Sequence, residues 1–172
     1  MDSREARFGR LFKSCYSSLH AFARRRAPVA DADDIVAEVL TVAWRRLDDI
    51  PTDAELPWLY GVAHRVLLNH VRTARRRVRL VERVRGERLE PPGSAPTDSA
   101  VLAALERLRD DDREVLRLAA WEGLQAIAIA VVLGCSPNAA ALRLSRARAR
   151  LRAELTGTPA CRTGHERKVT DA

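Results

Sequence analysis

At 172 residues the chain has room for one ordinary domain or two small ones. Aromatic residues are 5% of a composition that is 47% hydrophobic, with Ala and Leu prominent, which favours packed helices over sheet. A formal charge of +7 points to a polyanionic partner, either nucleic acid or an anionic membrane surface.

Other classes fall away on simple grounds. Met1 to Arg10 is polar and lacks the apolar core of a signal peptide. The longest apolar run, Leu124 to Leu133, is well short of the roughly 20 residues that span a bilayer. The expectation is a cytoplasmic protein without membrane insertion. Cys15, Cys135 and Cys161 are odd in number and scattered, so no disulfide framework is expected. Cys161 and His165 alone do not make a metal site, and neither a metal nor any other cofactor is expected. All basic residues but Lys13, Lys168 and the histidines are arginines, a bias that a GC-rich genome also produces.

In chain order, residues 7–26 place Phe8, Leu11, Phe12, Cys15, Leu19 and Phe22 at helical spacing, predicting an amphipathic helix with its aromatics in the core, ended by Pro28. Asp31 is suited to cap a second helix, Ala32 to Leu47, with Ile35, Val36, Val39, Leu40, Ala43 and Trp44 inward. Asp33, Asp34 and Glu38 fall on its polar side. After a turn at Ile50–Asp53, a third helix starts near Glu55, with Pro57 tolerable in its first turn and Trp58, Leu59, Val62, Val66 and Leu67 buried. From Arg72 to Arg88 its continuation holds eight arginines against two glutamates, the edge of a domain facing nucleic acid.

Pro and Gly around Pro91–Pro96 break the helical pattern and read as a linker. Asp98 or Ser99 can then cap a short helix with Val101, Leu102, Leu105 and Leu108 inward, and Asp111 with Glu114 has capping-box spacing for a helix ending at Gly123. An apolar run to Leu133 is followed by Gly134, a left-handed stop, then by Ser136 as N-cap and Pro137 at the first helical position. Two helices joined by so short a turn are the helix-turn-helix pattern. In the second, Ala140, Leu144, Ala147, Leu151 and Leu155 form an inward stripe. Arg143, Arg146 and Arg150 share another face, flanked by Arg148 and Arg152, with no acid from Ser136 to Ala153. A solvated surface helix normally mixes charge signs, so this one points to DNA. From Thr156 onward no periodicity remains, and the tail reads as disordered.

Four ordered stretches, DADDIVAEVLTVAWRRL, PWLYGVAHRVLLNHVRTARRR, LERLRDDDREVLRLAAWEGL and LSRARARLRAEL, resemble a sigma-70 family RNA polymerase sigma factor of the extracytoplasmic-function (ECF) group over about Phe8 to Leu155. The resemblance implies an all-α fold of two small helical domains joined by a flexible linker. These are a region 2 bundle (7–85), the linker (86–97), and a region 4 helix-turn-helix domain (98–155), followed by the tail (156–172). It further implies that Asp33, Asp34 and Glu38 dock on core RNA polymerase and that Asn69, Arg72, Arg75 and Arg76 contact the −10 element. Ser136, Pro137, Asn138, Ala139, Arg143 and Arg146 would contact the −35 element in promoter DNA. Trp58 and Tyr60 match the melting-associated segment by position, and Trp58 is read as core in preference. The linker corresponds to the segment that passes near the polymerase active centre and RNA exit path. An anti-sigma factor is a usual partner in the family.

Several positions depart from the family pattern. Ala128 stands where a Glu is usual and Gln125 where a hydroxyl residue is usual. Ala139, Ala141 and Leu142 replace polar or basic residues at the start of the reading helix. Direct hydrogen bonding to bases is therefore thin, and −35 recognition is expected to lean on phosphate contacts and DNA shape. Walker-type, Rossmann-type and HExxH motifs are missing, so no catalytic activity is expected. A stand-alone helix-turn-helix regulator is the alternative; it gives no reason for the acidic helix or the second arginine block. An enzyme built on Asp33, Asp34 and Glu38 lacks a second acidic motif.

Overall fold

The computed structural model describes residues 3–85 and 100–157, and in residues 74, 75 and 77–85 the backbone alone. The described residues form seven α-helices and no strand: α1 (Arg4–Arg24), α2 (Val29–Arg45), α3 (Glu55–Arg85), α4 (Ala100–Arg107), α5 (Asp110–Ala120), α6 (Ala126–Leu133) and α7 (Pro137–Thr156), with one 3-10 turn at Leu47–Asp49. None of these is long and apolar enough to cross a membrane by itself.

The Ser3 hydroxyl caps α1 by accepting from the Ala6 N–H at 3.2 Å. Leu11, Cys15, Leu19, Phe22 and Ala23 form its buried stripe. Phe12 was expected in the core but is exposed, because it lies about 100° round the helix from Leu11 and meets Tyr16 on the outer side at a centroid distance of 4.9 Å. Phe8 packs edge-on against Trp44 at 5.2 Å, leaving the outer part of Trp44 in solvent. Helix α2 begins three residues before the position expected from Asp31. Pro28, with φ −52°, opens it without needing an N–H, and Asp31 makes no cap but sits in the first turn, where a carboxylate meets the positive helix end. Pro57 falls in the first turn of α3 and is accommodated there.

Helices α1, α2 and α3 enclose Leu19, Phe22, Ile35, Val39, Leu59, Ala63 and Val66. Phe22 stacks on Tyr60 with centroids 4.6 Å apart.

In the second half, Gly123 and Gly134 adopt φ of 65° and 63°, and each turns the chain out of a helix. After Gly123 the Leu124 N–H reaches back to the Leu118 carbonyl at 3.1 Å, and after Gly134 the Cys135 N–H reaches the Ala130 carbonyl at 3.0 Å. Ser136 then caps α7, accepting from the Ala139 N–H at 3.2 Å. Helices α6 and α7 meet at 104°, within the range of a helix-turn-helix. Ser136→Ala is expected to lose about 1 kcal/mol of stability in urea denaturation.

Three local expectations fail here. Helix α4 is an edge element that packs mainly on α7, so Ala104, Leu105 and Leu108 turn inward while Val101 and Leu102 stay exposed. Asp111 and Glu114 form no capping box: Arg109 is the N-cap residue without a side-chain bond, and the Glu114 carboxylate is drawn away to Arg26. The inward stripe of α7 is buried from Ala140 to Ala147, half covered at Leu151 and open at Leu155.

The two halves share one continuous core rather than sitting apart. Helices α3 and α6 meet almost backbone to backbone at Gly61, where a Cβ would lie 3.4 Å from the Val131 and Val132 carbonyl oxygens. Gly61→Val should overpack this contact by about 1–3 kcal/mol, seen as a lower denaturation midpoint. Beside it, Arg26 donates through Nε to Glu114 at 2.9 Å and through Nη1 to Glu122 at 2.8 Å, and Arg25 also pairs with Glu122.

Candidate nucleic-acid interface

Three surfaces carry the residues expected to act. The first is α7. Arg143, Arg146 and Arg150 line a cleft of about 370 Å³ together with Arg109, Asp111, Asp112 and Glu114 of the α5 region and His64 of α3. Arg150 is committed to structure, since its Nη1 donates to both oxygens of Asp112 at 2.7 and 2.6 Å, and Asp112 is only 8% exposed. Arg143 and Arg146 are exposed on the same wall. Ser136, Pro137 and Asn138 are exposed at the start of the helix, and Ala139 is half-buried. The Ser136 hydroxyl is already engaged as the cap.

The second surface is the outer side of α3. Asn69, Arg72 and Arg76 are exposed and recur at helical spacing, so they share one face. The Arg75 side chain lies outside the described residues. Tyr60 is buried against Phe22; burial and the neighbouring Glu122 carboxylate push its phenol up to about 12. It belongs to the core and cannot receive an unstacked base. Trp58 is partly buried against the same core, with the Arg46 guanidinium 5.8 Å from its ring centroid.

The third surface is acidic. Asp33, Asp34 and Glu38 are all exposed on α2. His20 of α1 sits 3.1 Å from Asp33, and His70 of α3 sits 3.2 Å from Glu38. Neither histidine stood out in the sequence, because each partner lies on a different helix. Among the described residues no cluster of three or more His, Cys, Asp or Glu could hold a metal ion. Cys161, His165, the 86–97 linker, the Asp98 and Ser99 caps and the tail from 158 lie outside the described residues.

His64 sits where the halves meet. Its Nδ1 is 3.9 Å from Glu114. Burial lowers its pKa from 6.5, Arg26 and Arg65 add to the lowering, and Glu114 and Asp111 oppose it. The folded chain therefore holds the neutral ring, while the unfolded chain binds the proton more readily. Stability should rise with pH up to about 6.5, flatten above it, and be lost as pH falls below that value. Thermal melts across this window should show the slope, and His64→Gln should reduce it.

Comparison with known proteins agrees on both halves. Residues 11–77 match the family model for sigma-70 region 2, and residues 98–151 match that for sigma-70 region 4. The ECF RNA polymerase sigma factor EcfG of Rhodopseudomonas palustris is 34% identical over 146 residues, covering 80% of this chain and 79% of that protein. The probable RNA polymerase sigma factor RfaY of Xanthomonas campestris is 32% identical over 165 residues, and the chain spans 40% of its length. Among solved structures, the sigma factor RpoE of Bartonella quintana, in complex with the anti-sigma factor NepR, superposes with a TM-score of 0.62. Its identity is 25%, covering 89% of this chain and 98% of that one.

Proposed function

Because the chain belongs to the ECF group of the sigma-70 family of RNA polymerase sigma factors, we propose that it binds core RNA polymerase and directs it to promoters. Residues 98–155 take the −35 element through Ser136, Pro137, Asn138, Ala139, Arg143 and Arg146 of the helix-turn-helix. Residues 7–85 take the −10 element through Asn69, Arg72, Arg75 and Arg76 and help open it. An Asn amide can pair with a base edge, and Arg can hold phosphate or stack on a base. Asp33, Asp34 and Glu38 offer an exposed acidic face to a basic surface of the polymerase.

The observation that carries this reading is the coexistence of two exposed Arg-bearing helix faces, on α3 and α7, with an acidic face on α2. A regulator that only grips duplex DNA needs one of these three. An anti-sigma partner belongs to the same proposal, since the RpoE relative is held by one.

In vitro transcription with purified core polymerase tests the proposal. Promoter-specific initiation should appear only when the chain is added, and replacing Asp33, Asp34 and Glu38 together by Ala should weaken binding to core. A chain that neither binds core nor directs initiation overturns the reading.

A further inference from the structure

We propose that Leu142 reads thymine 5-methyl groups in the −35 duplex, making an apolar base contact at the centre of the outward row of α7; this rests on the sigma-factor reading above. Ala140, Leu144 and Ala147 are the buried positions of the helix. At about 3.6 residues per turn the opposite side carries Asn138, Leu142 and Arg146, spaced one turn apart. All three are exposed, and Leu142 leaves 50% of its surface in solvent.

The chemistry of this row is unusual for a helix that meets base edges. Between Asn138 and Ser145 the residues are Ala139, Ala140, Ala141, Leu142, Arg143 and Leu144. Arg143 is the one polar side chain among them, and it sits about 100° round the helix from Leu142, toward the buried stripe. The Ser136 hydroxyl is used by the Ala139 N–H. Leu142 itself therefore presents hydrocarbon at the centre of the row, with the exposed Ser145 and Arg146 following one turn on. In a helix-turn-helix the N-terminal part of this helix lies in the major groove, where the thymine methyl is the apolar feature of the base edges. Burying Leu142 against a methyl removes both from water, while cytosine presents no methyl and an amino group that would go unpaired. A thymine under Leu142, on either strand, is the base chemistry this surface fits. Phosphate contacts from Arg146 set the register without supplying that discrimination.

The test uses the full chain bound to core polymerase. Promoter duplexes are first enriched from a library randomised across the −35 element. Each −35 thymine in the enriched sequence is then replaced singly by deoxyuridine, which removes the methyl and keeps the base pair. Binding should weaken about fourfold at one or two neighbouring positions, the effect of one buried methylene-sized group. Leu142→Ala should abolish the thymine–uracil difference at those positions while leaving salt dependence unchanged, with a melting temperature matching the parent because the site is exposed. Methyl-insensitive binding at every thymine, or undiminished discrimination by Leu142→Ala, overturns the proposal. Failure to enrich any promoter sequence is a different result: it sinks the sigma-factor reading and this inference with it.

Discussion

Arg26→Ala is expected to destabilise the protein by about 3–5 kcal/mol, the cost of breaking a buried ion pair from one side. The Arg26 side chain is 5% exposed and that of Glu122 only 1%. Arg26 Nε donates to both Glu114 oxygens at 2.9 and 3.2 Å, and Nη1 to Glu122 at 2.8 Å and to the Phe22 carbonyl at 3.3 Å. Its guanidinium lies 3.7 Å from the Phe22 ring centroid. Alanine would leave Glu122 to Arg25 alone and Glu114 facing His64 at 3.9 Å, with a void over Phe22. Because this cluster joins α1 to the α5–α6 region, the loss should fall first on the junction between halves. Amide exchange in α6 should rise and the hydrodynamic radius grow before α1–α3 unfolds. A triple variant, Arg26→Met with Glu114→Gln and Glu122→Gln, should recover much of the stability because none of the three charges is then left buried without its partner. Urea denaturation of both variants checks this; a loss below about 1 kcal/mol for Arg26→Ala would mean the junction is not closed in solution.

Arg143→Ala combined with Arg146→Ala should weaken −35 duplex binding by the polymerase complex by about 3–6 kcal/mol, taking about 1.5–3 kcal/mol for each lost charged hydrogen bond. Two fewer phosphate contacts should also reduce the slope of log affinity against log salt by about 1.8. Arg150→Ala should behave differently. Its guanidinium is held by both oxygens of Asp112, so its removal should lower stability and leave the salt slope nearly unchanged. Binding titrations at several salt concentrations separate the two. If the Arg143 and Arg146 changes left affinity intact at physiological salt, the DNA face of α7 would have to lie elsewhere on the helix.

The Arg150 result shows how far the linear pattern of arginines reached. Periodicity placed Arg143, Arg146 and Arg150 on one wall, and they line one cleft. It could not separate the arginine bound to a buried aspartate from the two left exposed, because Asp112 lies 38 residues away and on another helix. The same limit applied to Glu114. At the sequence level its spacing from Asp111 fitted a capping box, but the buried Arg26 guanidinium, 88 residues distant, outcompeted a local backbone N–H. Phe12 and Leu155 fell off their stripes for a related reason: helical spacing names a face, but coverage depends on what packs there.

The sequence by itself determined the helices, the glycine stops at Gly123 and Gly134, the Ser136–Pro137 start of α7 and the family. Each of these depends on residues within a turn or two of one another, where sterics, capping and hydrophobic period act. Tertiary structure alone decided that the two halves share a core through Gly61 and Arg26, and that Tyr60 is buried. It also decided that Asp33 and Glu38 face His20 and His70, and that Leu142 stays exposed. These outcomes arise from contacts across long stretches of chain, whose energy depends on which surfaces meet, and no local pattern encodes that meeting.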